Sequence, residues 1–283
     1  MRVYYNGRFM PKSAVCISPD DRGFLFADGV YEVIRSYGGR LFMPDAHFRR
    51  LRCSLDALAI AAPDLTRLEE IARQLIADNH LEQADASIYI QITRGAAPRQ
   101  HTFPDTGVRP TIYVSARSAP CPREKWERGV AVLTVPDLRW MRCDIKSLAL
   151  LPNVLAGEKA RAAGCEEAVF LRDGYVTEGS HTSFAAFIHG RLTTHPANHL
   201  ILPSVTREIV LDLCRKVAIP VKETPISESD LEDSDEILLM GTTTEIMPVV
   251  RVDDRPVSDG RPGPLTRKLQ EAYRNLKMRC HTA

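Results

Sequence analysis

The stretch that decides the fold reads Arg139-Trp140-Met141-Arg142-Cys143-Asp144-Ile145-Lys146-Ser147-Leu148. Lys146 lies at its centre, between Ile145 and Leu148, and the apolar run continues to Leu151. These neighbours predict that the stem of the lysine is partly buried. Burial favours the neutral, nucleophilic form of an amine. Lys146 is therefore a candidate nucleophile.

A second stretch, between two predicted strands, reads Val176-Thr177-Glu178-Gly179-Ser180. It places a carboxylate beside a glycine and a hydroxyl. A lysine that can form a Schiff base and a carboxylate that can face a pyridine nitrogen are the minimum requirement for pyridoxal 5′-phosphate (PLP) chemistry. We therefore interpret Lys146 and Glu178 together.

With these residues the chain resembles the fold-type IV PLP-dependent aminotransferases, and within them most closely the D-amino acid transaminases. RCDIKS and VTEGS are typical of the superfamily, and TRGAAPRQH is typical of the D-amino acid branch. The resemblance implies an α/β (α+β, two-domain) fold, PLP as cofactor and a homodimer. The matching blocks are DRGFLFADGVYEV, HFRRL, YIQITRGAAPRQHTFP, RWMRCDIKSLALL, VTEGS, THPANHLIL, VTRE and GTTTEIMPV.

Composition limits the possible partners. The chain has 283 residues, of which 44% are hydrophobic and 26% charged, as in ordinary soluble globular proteins. Its 37 basic and 36 acidic residues leave a net charge of +1, so no basic field attracts nucleic acid or an anionic membrane. No apolar run approaches the roughly 20 residues of a membrane helix. The strand-like stretch Met1–Gly7 lacks the apolar core of a signal peptide, so we expect a cytoplasmic protein.

The cysteines also indicate a cytoplasmic protein. There are seven, an odd number, widely spaced and without a CxxC pair. This pattern favours reduced thiols over a disulfide framework or a zinc site. Cys143 lies near Lys146 but has no base beside it in sequence, so we interpret it as a packing thiol. His195 and His199 are four residues apart, but Pro196 makes a helix improbable there, so we predict a turn and no metal.

The predicted domain boundary follows from a proline-containing polar run, Ser118–Arg123. We expect a small N-terminal α/β domain at 1–118, a linker at 119–128, and a large C-terminal domain at 129–283 that carries Lys146. Alternation predicts a strand from Val30 to Tyr37.

Three further local signals mark helices and a loop. Pro44 suits the first turn of a helix, and a capping box predicts a second helix start at Thr66. The long polar loop Gly95–Gly107 is a functional candidate.

The resemblance distributes the cofactor contacts along the chain. It implies that Lys146 holds PLP, Glu178 faces the pyridine nitrogen and Arg50 is the phosphate cation. Ser204 predicts a helix start, where unpaired N–H groups and the helix dipole suit an anion. The predicted cofactor-binding set is Lys146, Arg50, Glu178, Val205, Thr206, Thr242 and His181.

The resemblance also assigns the reaction and the substrate. The resemblance implies that the catalytic residues are Lys146, Glu178 and Tyr31. Tyr31 and Val33, on one face of the predicted strand, are implied to contact the substrate. Arg99 and His101 are implied to hold its α-carboxylate from the partner subunit. The residues alone leave other interpretations open: a core aromatic for Tyr31, and solvated charges for the arginines and His101.

Some positions depart from the D-amino acid pattern. Ser183 replaces an asparagine, Gly241 replaces a serine, and His181 stands where a small hydroxyl residue is common. Arg35 and Gly241-Thr242 look more like the branched-chain L-amino acid transaminases, which are the first alternative. An (R)-amine transaminase, an aminodeoxychorismate lyase and a non-catalytic binding homologue are more remote alternatives.

Overall fold

The computed structural model describes residues 1–105 and 107–280, and the helical backbone at 281 and 282. The chain divides into two compact units. Unit 1 contains Met1–Pro120 and Ile145–Leu150, and unit 2 contains Cys121–Asp144 and the chain from Leu151 onward.

Unit 1 has an antiparallel sheet covered by helices. Its strands are β1 (Arg2–Tyr5), β2 (Arg8–Pro11), β3 (Gly29–Tyr37), β4 (Arg40–Leu41), β5 (Ala86–Thr93) and β6 (Thr111–Ser118). Its helices are α1 (Arg22–Phe26), α2 (Pro44–Ala57) and α3 (Leu65–Asp78), with a short 3₁₀ turn at Lys12–Ala14. Among the described residues these strands form one sheet in the order β2-β1-β6-β5-β3-β4.

Strand β3 follows from its alternating sequence. Val30 and Ile34 are fully buried and pack in one hydrophobic core with α2 and α3. Glu32 shares their face, whereas Tyr31 and Val33 lie on the opposite one. Gly38 and Gly39, with φ of +50° and +80°, then turn the chain back into β4, as a two-residue hairpin requires.

Unit 2 is built on a larger mixed sheet. Its strands are β7 (Val130–Pro136), β8 (Glu167–Arg172), β9 (Tyr175–Gly179), β10 (Ser183–Ile188), β11 (Arg191–Thr194), β12 (Val221–Glu223), β13 (Ile226–Ser227), β14 (Glu236–Gly241), β15 (Glu245–Val252) and β16 (Arg255–Pro256). Its helices are α4 (Arg123–Arg128), α5 (Leu151–Ala162), α6 (Val205–Lys216), α7 (Glu228–Glu232) and α8 (Pro264–Thr282).

The unit 2 sheet, over its described strands, runs β12-β11-β10-β14-β15-β7-β8-β9-β13, with β16 paired to β15. Strand β7 is parallel to both of its neighbours, and most other pairs are antiparallel. Helix α5 buries Ala156 and Ala160 against Phe170 of β8. No helix in the described ranges is long and apolar enough to cross a membrane.

The division of the chain differs from the expected one in two places. The expected linker at 119–128 contains helix α4, and Trp126 Nε1 donates a hydrogen bond to Thr244 O at 2.9 Å within unit 2. The Lys146 segment, Ile145–Leu150, belongs to unit 1 and not to the C-terminal unit. Its backbone bonds to β3 explain this position, because they tie it to the N-terminal sheet.

Candidate active site

Lys146 lies on a short segment that extends the sheet of unit 1. Tyr31 N–H donates to Lys146 O at 3.0 Å, and Leu148 N–H donates to Gly29 O at 3.0 Å. The N–H of Lys146 donates to Ser54 Oγ at 3.2 Å. This pairing places Lys146 Nζ 4.3 Å from the centroid of the Tyr31 ring, within the range of a cation–π contact. The structure therefore brings together the two predicted catalytic residues of unit 1.

Arg50 is held by a buried carboxylate that sequence reasoning missed. Its Nε and Nη2 donate to the two oxygens of Glu32 at 2.9 and 2.6 Å, and His47 Nδ1 lies 3.1 Å from the same group. Glu32 is fully buried. Burial would raise the pKa of Glu32, but Arg50 and His47 outweigh burial and hold the pKa well below its usual range. The sequence did contain one signal for this pair: Glu32 lies on the apolar face of β3, and a buried acid requires a cation beside it.

The predicted substrate-binding residues of unit 1 lie in two places. Val33 is partly buried on the same strand face as Tyr31. Arg99 and His101 are exposed on the loop between β5 and β6. Both contact the Phe26 ring, whose centroid lies 5.3 Å from the Arg99 guanidinium carbon and 5.6 Å from the His101 ring centroid.

Arg35 is buried and bound to the protein. Its Nη1 donates to Ala119 O at 2.5 Å, its Nη2 lies 4.0 Å from Asp85, and its guanidinium stacks over Tyr37 at 5.2 Å. Only 1% of the residue is exposed. Arg35 therefore contributes to the end of the unit 1 sheet, away from solvent.

Glu178, in unit 2, is a buried carboxylate with donors on both oxygens. Arg139 donates to Oε1, and the N–H of Leu202 donates to Oε2 at 3.1 Å. Arg139 also pairs with Asp137 at 2.8 Å. Burial would lower the pKa of Arg139, but Asp137 and Glu178 raise it above its usual value. Arg139 therefore stays charged beside the carboxyl of Glu178. Arg139 had no predicted role, although it begins the stretch that contains Lys146.

His181 follows Glu178 closely but uses its backbone inside unit 2. Its N–H donates to Glu167 Oε1 at 2.7 Å, and its ring Nδ1 lies 3.1 Å from the same oxygen. The ring is largely exposed. Burial raises the pKa of Glu167. The N–H of His181 is therefore bonded to Glu167, and its ring lies at the surface with Nδ1 beside the same carboxyl group.

The remaining predicted cofactor residues lie at a helix start and a strand end. Ser204 Oγ accepts a hydrogen bond from Arg207 N–H at 3.2 Å, which caps α6 as predicted. Val205 and Thr206 form the first turn and are buried. Thr242 follows β14, which pairs with β10.

Cys143 is a buried thiol, in agreement with the packing interpretation. Its Sγ donates to Trp140 O at 3.2 Å. Burial raises the pKa of Cys143 to about 11, so the thiol is not ionised near neutral pH. A thiol in this state is a poor nucleophile.

Known proteins are similar to this chain over nearly its whole length. The family described as Amino-transferase class IV matches residues 29–252. The D-alanine aminotransferase of Staphylococcus haemolyticus is 40% identical over 273 residues, which cover 96% of each protein. That of Bacillus licheniformis is 38% identical over 279 residues, covering 97% of this chain and 96% of the relative.

Solved structures show the same fold. The branched-chain amino acid aminotransferase of Escherichia coli superposes with a TM-score of 0.90 at 26% identity, covering 97% of this chain and 94% of that one. The Thermoproteus uzoniensis branched-chain enzyme, solved with norvaline, gives 0.86 at 26% identity, covering 97% and 93%. The comparisons confirm the expected fold class and the expected aminotransferase activity. The chain belongs to the class IV aminotransferase family, the fold-type IV enzymes that use pyridoxal 5′-phosphate.

Proposed function

We propose that this protein is a homodimeric, cytoplasmic aminotransferase that moves the amino group of D-amino acids, such as D-alanine and D-glutamate, to 2-oxo acids such as 2-oxoglutarate and pyruvate. The position of Lys146 carries the proposal, because its Nζ lies against Tyr31 on a segment fixed to β3. The D configuration is supported by the relatives named D-alanine aminotransferase.

The residues present suit PLP. Unit 1 offers a cation for a phosphate at Arg50, and unit 2 offers N–H donors at the first turn of α6 with the hydroxyl of Thr206. Glu178 is a buried carboxyl group of the kind that faces a pyridine nitrogen in PLP enzymes.

The turn that follows Glu178 requires a glycine. A Cβ on Gly179 would lie 2.4 Å from Thr182 Oγ1 and 2.5 Å from Glu167 Oε1, so no side chain fits there.

When bound, PLP supplies a protonated ring that accepts the electron pair left as the substrate Cα–H bond breaks. Lys146 Nζ would hold the aldehyde carbon of the cofactor, and after displacement by the substrate amine would carry the Cα proton. Glu178 would keep the proton on the pyridine nitrogen. Its own two donors, Arg139 and the N–H of Leu202, hold the carboxylate in one orientation.

The α-carboxylate of the substrate needs its own binding group, which we propose is the pair Arg99 and His101 and which we call the carboxylate clamp. Arginine binds a carboxylate through two parallel N–H bonds. Arg99 and His101 are exposed on unit 1, as a pair that serves the active site of a partner subunit would be. The clamp fixes which way the substrate lies, and Lys146 reaches one face only, so the clamp sets the configuration that reacts.

A panel of amino donors in both configurations tests the proposal. D-alanine and D-glutamate, with 2-oxoglutarate or pyruvate as acceptor, should react far faster than L-leucine or (R)-1-phenylethylamine, and the purified protein should be yellow. Faster turnover of L-leucine would favour the branched-chain alternative, which the similarity to the Escherichia coli structure supports. A colourless protein without transaminase activity after addition of PLP would reject the proposal.

A further inference from the structure

Residues 95–101 of the loop that carries Arg99 and His101 are held by the segment around α1. The backbone does this first. Arg22 N–H donates to Gly95 O at 2.9 Å, and Ala97 N–H donates to Asp20 O at 3.2 Å. These bonds hold the first residues of the loop beside α1, so the next residues start from a defined position.

The side chain of Arg22 binds the loop at Gln100, between Arg99 and His101. Its Nη1 donates to Gln100 O at 2.7 Å, and its Nε donates to Asp28 at 2.7 Å. Gln100 lies between Arg99 and His101, so this carbonyl determines the backbone from which both side chains project. Arg22 is 3% exposed, and a buried guanidinium bonded in two directions leaves the Gln100 carbonyl little freedom.

Asp28 makes the arrangement rigid because it serves two arginines. Arg94 Nε and Nη2 donate to its two oxygens at 2.8 and 3.0 Å, while Arg22 donates to one of them. Burial would raise the pKa of Asp28, but the hydrogen bonds from Arg94 and Arg22 lower it overall. The carboxylate is therefore anionic near neutral pH and keeps Arg22 oriented toward the loop.

Phe26 fixes the side chains themselves. Its ring lies under the Arg99 guanidinium, at 5.3 Å, and meets the His101 ring edge-on, at 5.6 Å. A guanidinium over an aromatic face is attracted by the ring quadrupole and keeps its planar edge free to accept a carboxylate. One ring thus aligns two groups that are two residues apart.

We propose that Arg22 and Phe26 are positioning residues of the carboxylate clamp. Arg22 fixes the backbone at Gln100, and Phe26 fixes the side chains of Arg99 and His101, so that the clamp is formed before the substrate arrives. The inference rests on the proposed function, in which Arg99 binds the α-carboxylate. Ordering the loop in advance removes an entropic cost from substrate binding.

Two substitutions test the two contacts, which are coupled because the Arg22 guanidinium also lies 4.9 Å from the centroid of the Phe26 ring. Arg22→Met removes both hydrogen bonds and keeps the apolar stem, while Arg94 still neutralises Asp28. Phe26→Leu removes the ring and leaves the bond from Arg22 to Gln100. Each should raise KM for D-alanine about tenfold with kcat within about threefold, because a small misplacement of a binding group costs one to two orders of magnitude. Arg22→Lys, which can reach one partner, should restore part of the loss.

Readouts without turnover separate positioning from loss of fold. Propionate, a carboxylate without an amino group, should compete with D-alanine about tenfold more weakly in both variants than in the native protein. Hydrogen exchange of the peptide spanning residues 96–104 should rise in substrate-free Arg22→Met, and exchange of β5 and α2 should not. Arg67→Met is the matched control, since it also removes a hydrogen bond from an arginine to a carboxylate, but to Glu70 on α3. It should leave KM, propionate inhibition and the exchange of residues 96–104 unchanged.

Comparison with Arg99→Ala distinguishes the possible failures. In the Arg99→Ala background, Arg22→Met should change kcat/KM less than it does in the native protein, because Arg99 is missing and only His101 remains to be positioned. If Arg99→Ala raises KM while both Arg22→Met and Phe26→Leu leave KM and propionate inhibition within twofold of the native values, the inference is wrong and the proposed function stands. If Arg99→Ala itself leaves KM unchanged, there is no clamp to position, and the inference falls together with that part of the proposed function.

Discussion

Replacement of Glu32 by glutamine tests whether a buried anion holds Arg50, the arginine that we propose binds the phosphate of the cofactor. Glu32 is fully buried, accepts two hydrogen bonds from Arg50 and lies against His47. Glutamine keeps the size and one acceptor oxygen but removes the charge. The variant therefore leaves a guanidinium in the core of unit 1 without its counter-charge.

The structure sets the size of the expected effect. Breaking a buried ion pair by removing one partner costs about 3–5 kcal/mol of unfolding free energy. At about 2 °C per kcal/mol for a chain of this size, the cofactor-free variant should melt about 6–10 °C below the native protein. Because the pKa of Glu32 is lowered in the folded state, its contribution is present above the unfolded pKa of about 4.3 and is lost only as pH falls through the folded value. The difference in Tm should therefore be constant between pH 6 and 8.

Thermal melting of the cofactor-free protein, with and without PLP, measures this. The phosphate brings the missing anion to Arg50, so PLP should raise the Tm of Glu32→Gln more than that of the native protein. Inorganic phosphate should do the same more weakly. The control is Glu69→Gln, which breaks an i,i+4 pair with Arg73 that is 27% and 53% exposed and should cost less than about 1 kcal/mol. A cofactor-free Glu32→Gln protein that melts within 1 °C of the native one would refute the reasoning.

Three further predictions concern the cofactor and the subunits. Lys146→Ala should abolish transamination and leave no cofactor that borohydride can fix to the protein; near-native turnover would remove Lys146 from the reaction. Glu178→Gln should slow the half-reaction by about two orders of magnitude or more with an unchanged circular dichroism spectrum, and an unchanged rate and absorption spectrum would count against its role. Mixing Arg99→Ala with Lys146→Ala protein should recover up to about a quarter of native activity through hybrid dimers; no recovery after verified exchange would contradict a clamp donated by the partner.

Much of the local structure followed from short-range signals. The alternation of Val30–Tyr37 predicted β3, and Ser204 predicted the start of α6. Helix α3 begins earlier than the start predicted at Thr66. Asp64 caps it by accepting hydrogen bonds from the N–H groups of Thr66 and Arg67. A carboxylate two residues upstream competes with a hydroxyl as cap, and sequence spacing alone does not decide between them.

The groups that hold the candidate site could not be predicted in the same way. Arg139 meets Glu178 across 39 positions, and Arg22 meets the Gln100 carbonyl across 78. Such pairs depend on how strands are ordered in a sheet, which local periodicity does not encode. The single available signal was charge on a buried face, as at Glu32 in β3. This signal indicates that a partner exists without naming it.

The same reasoning bears on the configuration of the substrate. At the level of sequence Arg35 could compete with Arg99 for the carboxylate, because it shares a strand face with Tyr31. Its guanidinium is instead buried, bonded to Ala119 O and near Asp85. A substrate carboxylate would have to displace those contacts and bring its own charge out of water, which is costly. Arg99 is exposed and already aligned over an aromatic ring, so it can bind a carboxylate without breaking a buried bond. Arg35 thus contributes to the framework of unit 1, and in the proposed function the configuration of the substrate is set by Arg99 and His101 on the loop.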